Sequence, residues 1–239
     1  MTDTQKIIKQ TIENYVKTNL GSIVVVEYVS DVSARASEIV SAYPENFYNA
    51  YEATHFTGTF IPQVGDNPFY ILIQEDRPQC LDVMTAFHEY QHLLDYVCFL
   101  STACHNDINY LRNNPLYKTF NIYSEFSATK TGIIQYARTV TLGTMSLTEK
   151  CEGLLETYCS MYRRFEGIET RYQLLVHCIQ FFGCITAASM IDPSYDISPY
   201  LEEIEFLSEL SPVFNVLTSF EDSIDWYEHF DRIARIFVG

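Results

Sequence analysis

Two histidines four residues apart, with a glutamate directly after the first, occupy the segment His88-Glu89-Tyr90-Gln91-His92. On a helix such residues lie one turn apart on one face, so both imidazoles can reach a single metal ion. Neutral imidazole suits zinc, and a catalytic zinc keeps one coordination position open for water. A carboxylate placed as Glu89 is can take a proton from that water instead of binding the metal. The H-E-x-x-H pattern therefore points to metal-assisted hydrolysis, with His88 and His92 as ligands and Glu89 as the base.

Two imidazoles leave such a site one protein ligand short. One arrangement places a third histidine six residues after the second, but Cys98 stands there. His105 lies thirteen residues beyond His92, too far for that pattern. The better candidate is Glu125, in Tyr123-Ser124-Glu125-Phe126-Ser127-Ala128-Thr129. It begins a second predicted helix, and its face continues with Ala128, Thr129 and Gly132, all small. Small side chains permit the close helix approach that a glutamate ligand requires. The helix dipole alone would also favour a glutamate in a first turn. Asp95 sits one turn past His92 on the same side. It fits a carboxylate that orients a ligand imidazole through its free N–H, and equally an ordinary solvated or capping aspartate.

The elements that must hold these residues follow from periodicity. Residues 5–19 read as a helix ending before Gly21, 23–29 as a β-branched strand, and 32–43 as a helix stopped by Pro44. Strands at 56–61 and 69–74 flank a turn-rich link, 62–68, which predicts a hairpin. Asp82 is placed to cap a helix over about 83–100. Between Met84 and Leu94 only Glu89 is charged. On a helical wheel His88, His92, Asp95, Met84 and Phe99 share one side, and Val83, Phe87, Tyr90, Leu93, Leu94 and Val97 spread over the other. Residues 102–118 read as irregular or partly helical, 122–138 as a helix, and the chain from about 147 onward as helices broken at Pro193, Pro199 and Pro212. This order predicts an α+β core with a helical C-terminal half.

Composition narrows the function classes. The chain has 239 residues, 47% apolar and 15% aromatic, enough to bury a core. Its formal charge is -16, with 15 basic and 31 acidic residues and no basic cluster. That disfavours nucleic acid and anionic membrane surfaces as partners. Seven cysteines occur with no C-x-x-C pair, and they read as reduced, mostly buried thiols of a cytosolic protein. A Cys178 or Cys184 pair with His177 is conceivable as a nucleophile, but that stretch reads as plain core. The N-terminus lacks the apolar region of a signal peptide, and polar residues interrupt the apolar run 174–191, so the expectation is a cytoplasmic chain without a membrane span.

The segments Gly58-Thr59-Phe60-Ile61, Phe69-Tyr70-Ile71-Leu72-Ile73, Met84 to Leu94 and Ser124-Glu125-Phe126-Ser127-Ala128 together resemble the core of the ImmA/IrrE-type metallopeptidases, over roughly residues 20–140. The resemblance implies a compact gluzincin-like domain. It implies His88, His92 and Glu125 as ligands of one zinc ion, Glu89 as catalytic base, and a peptide or protein substrate, a regulatory protein among the options. Tyr90-Gln91 stands where the family more often has Leu-Gly, and the C-terminal half lies outside the resemblance.

The expected fold is thus α+β. A zincin-like core with a small antiparallel sheet and an active-site helix covers 1–145, and a helical extension covers 146–239. The expected activity is zinc-dependent peptide hydrolysis. The alternative is a non-catalytic, zinc-stabilised binding or regulatory protein on a degenerate peptidase fold. Tyr110, Tyr117, Tyr123, His105 and His177 all remain open as donors to the developing oxyanion.

Overall fold

Thr2 starts the first helix, α1 (Asp3–Leu20), with a reciprocal cap: Gln5 N donates to Thr2 Oγ1 at 3.2 Å, and Thr2 N donates to Gln5 Oε1 at 2.8 Å. Ile8, Ile12 and Val16 form its buried stripe, and Gly21 ends it in the left-handed region at φ 61°. These features belong to a computed structural model that describes residues 1–44, 57–139, 146, 148–149, 152–153, 155–156, 171–205 and 211–219. Of the helices expected from about 147 onward, residues 148–149, 152–153 and 155–156 are helical, as are the helices given below, and the rest lies outside the described residues.

Strand β1 (Val24–Val29) leads to α2 (Val32–Ser41), which Asp31 caps by accepting from Ala34 N at 2.9 Å. Strands β2 (Gly58–Ile61) and β3 (Phe69–Gln74) form the predicted antiparallel hairpin. The sheet order is β1-β3-β2, and β1 runs parallel to β3. The sheet is therefore mixed, not antiparallel throughout as the sequence suggested. The chain passes from β1 through α2 into β2, which runs back against β3, so β3 returns in the direction of β1. Side chains of α2 (Val32, Ala36, Ile39, Val40) pack on Ile61 and Leu72 of the hairpin.

Next comes α3 (Gln79–Ala103), 25 residues long. It begins earlier than expected because the Pro78 carbonyl accepts from Leu81 N and Asp82 N at 2.8 and 3.3 Å, and a proline costs nothing at a helix start. Asp82 is consequently not the cap. It lies buried in the first turn, where its Oδ2 accepts from Gln5 Nε2 at 2.9 Å. Burial holds its carboxyl above the ordinary value against the lowering effect of that bond.

The remaining described helices are α4 (Ile108–Asn113), α5 (Tyr117–Thr139), α6 (Arg171–Ile191), α7 (Ser198–Glu205) and α8 (Ser211–Leu217). The fold is α+β and mostly helical, with eight helices and one three-stranded sheet among the described residues. It divides into two compact units, Met1–Leu93 and Leu94–Gly239, and the division falls inside α3. Among the described residues no helix is long and apolar enough to cross a membrane.

Candidate metal centre

Helix α3 is at least partly buried along residues 81–100, none of which is exposed. A single charge between Met84 and Leu94 makes that burial possible, and the charge is Glu89 itself, only 7% exposed. Tyr90 packs edge-on against Tyr15 of α1, with ring centroids 5.7 Å apart. Arg77 donates to Thr85 Oγ1 at 3.0 Å. Strand β2 meets the helix at its first residue. A Cβ on Gly58 would collide with Thr85 Cγ2 and come within 3.1 Å of Glu89 Oε1. Glycine is what lets the strand backbone lie against the glutamate.

His88 and His92 stand one turn apart, their Nε2 atoms 3.0 Å apart and their ring planes at 79°. Desolvation pushes the His92 imidazole down to about 4, so near neutral pH it is uncharged and can offer a lone pair. Among the described residues, His88, His92 and Glu125 form a group that could hold a metal ion, with one ligand atom of each within 4.8 Å of the others. Donors around a tetrahedral ion with bonds of about 2.0–2.1 Å stand about 3.3 Å apart, so contraction by roughly 1.5 Å at most would close the group. Two imidazoles and a carboxylate are a donor set that suits zinc and leaves one tetrahedral position open.

Glu125 is held from α6. Gln180 Nε2 donates to Glu125 Oε2 at 3.2 Å. The two helices can meet this closely because Gly183 faces α5, where an added Cβ would stand 2.8 Å from the Phe126 carbonyl oxygen and 3.0 Å from Thr129 Cβ. The small side chain of Thr129 thus serves the approach of α6, a role the sequence did not reveal. Ser124, just before Glu125, donates to Asp95 Oδ2 at 3.2 Å. This bond ties α5 to the C-terminal half of α3, one turn beyond His92. Asp95 is fully buried, which excludes the solvated aspartate of the sequence reading.

The other candidates are scattered. His105 lies past the end of α3 at φ 52°, stacked on Tyr110, and is outside the metal-capable group. Tyr110 is half exposed, Tyr117 stacks on Phe120, and Tyr123 is buried within α5. His177 lies on α6 three residues before Gln180, a spacing that puts both on one helix face. Cys104, Cys178 and Cys184 are buried and Cys98 is partly buried, none of the four in a disulfide. The thiols of Cys80, Cys151 and Cys159 lie outside the described residues.

Gln180 is the residue sequence reasoning missed. Its only signal is polarity inside the apolar run 174–191. A donor that fixes a ligand carboxylate is typically worth about 10–100-fold in metal affinity. Gln180→Leu is therefore expected to weaken zinc binding by about that factor without changing stoichiometry. Competition with a chromogenic chelator measures it, and unchanged affinity would remove Gln180 from the site.

No family model matches the chain, and no curated protein or solved structure does.

Proposed function

We propose that the chain is a zinc-dependent metallopeptidase of the ImmA/IrrE type. The observation that carries this reading is the convergence of His88, His92 and Glu125, with Glu89 on the turn between the two histidines. A zinc ion bound there would act as a Lewis acid and supply water that is nucleophilic at neutral pH. Glu89 takes the proton from the attacking water and returns it to the leaving amine nitrogen. Gln180 holds the Glu125 carboxylate in place. A low dielectric around the largely buried Glu89 strengthens each of these interactions.

A peptide substrate is favoured over another amide by the resemblance of residues 20–140 to the ImmA/IrrE-type metallopeptidases. The substrate is then a peptide or protein, a regulatory protein included. Four described cysteines outside any disulfide agree with a reducing, cytoplasmic setting.

The test is metal content. Protein purified without chelators should carry one zinc per chain by plasma emission spectroscopy. A metal-free preparation that does not take up zinc on dialysis would sink the proposal.

A further inference from the structure

Within the second unit, α5, α6, α7 and α8 line a cavity of about 470 Å³. All its described walls belong to the second unit. Ile185, Met190, Leu201, Phe214 and Leu217 make it chiefly apolar. Its volume falls in the range of small-molecule sites.

Among the described residues one charge lines it. Lys130 Nζ lies 5.3 Å from the centre of the Phe126 ring, and both residues face the cavity. Among the described residues no carboxylate comes within ion-pair distance of this nitrogen. Asp95 attracts it from farther away, but its Oδ2 already accepts from Ser124. Burial lowers the affinity of the amine for its proton. A partly desolvated cation without a close partner is costly.

The hydroxyls in the wall do not substitute for it. Thr186 donates to the Phe182 carbonyl, Ser189 to the Thr186 carbonyl, and Thr218 to the Phe214 carbonyl, each to a residue three or four before it. Among the described lining residues, Lys130 is the side chain with donors left to give to an anion. A phosphate or sulfate head would call for several donors at once. A carboxylate can be matched by a single ammonium.

We propose that this cavity binds a small organic acid, with its carboxylate on Lys130 and its aliphatic chain along Ile185, Leu201 and Phe214. The site does not depend on the metal centre. Calorimetric titration with decanoate, decanol and decyl phosphate, below their aggregation thresholds, tests it. Decanoate should bind one per chain and at least 10-fold tighter than decanol. Lys130→Met should abolish that preference while leaving decanol binding and zinc content unchanged. Equal affinity for decanoate and decanol in the unaltered protein would overturn the proposal, whether or not the variant folds. Absence of decanoate binding would do so too, and so would tighter binding of decyl phosphate.

Discussion

Glu89→Gln is expected to keep one zinc per chain and to lower kcat/KM for peptide hydrolysis by about 10²–10⁴-fold. The amide matches the carboxylate in shape, so it fits the space Glu89 occupies against Gly58 and Thr85. It has no basic oxygen with which to take a proton from water. The loss should fall on kcat, with KM little changed, because the glutamate acts in the transition state and is not needed to hold the ground state. Rates on a peptide library, read beside metal analysis of the same preparations, decide the matter. Equal turnover in both proteins would refute the base assignment. Absence of hydrolysis in the unaltered protein, with zinc held by four protein groups, would favour the non-catalytic alternative.

His92→Ala should cost more than about 100-fold in zinc affinity, since groups that only orient a ligand already contribute about 10–100-fold. It should also change how the metal-free protein responds to acid. In the folded chain His92 resists protonation until about pH 4, whereas an unfolded imidazole takes its proton near 6.5. Between those values the unfolded state binds more protons, so this stabilisation is whole above about pH 6.5 and is lost as pH falls toward 4. Urea unfolding of the metal-free proteins across that window should show a shallower pH slope for His92→Ala, by up to about one proton. Identical slopes would mean that His92 is not desolvated in the folded state. With zinc bound the unaltered protein gains stability by mass action, and a chelator should remove that increment from it but not from the variant.

What could be read from the sequence was local. H-E-x-x-H acts within one helix, so spacing alone placed His88, Glu89 and His92 together. Glu125 was legible from its small-residue face, but Thr129 on that face turned out to lie against Gly183 of α6. The hairpin followed from the turn chemistry of residues 62–68. The direction of β1 did not, because a strand's own residues do not say which neighbour it will join. The segment 102–118 hid α4 and the start of α5, since their signals are side chains that cap over short range. Asn109 N donates to Asp107 Oδ1, and Leu116 N to Asn114 Oδ1, both at 2.9 Å. Gln180 was beyond reach because its partner lies 55 residues away, and a single amide in an apolar run has no periodicity.

Gly183 sits one turn past Gln180 on the same helix. A methyl group there would press on the α5 backbone at Phe126 and Lys130 and force the two helices apart. Such a substitution leaves every ligand intact and still lengthens the Gln180–Glu125 bond. The same displacement would reach Lys130 and Phe126 in the cavity wall. Position 183 is therefore where drift in this lineage should be most constrained and most informative. Among its nearest neighbours are the Phe126 carbonyl oxygen and the Lys130 backbone nitrogen, which no side-chain change can trim, so glycine should persist at 183 wherever α5 and α6 keep this contact.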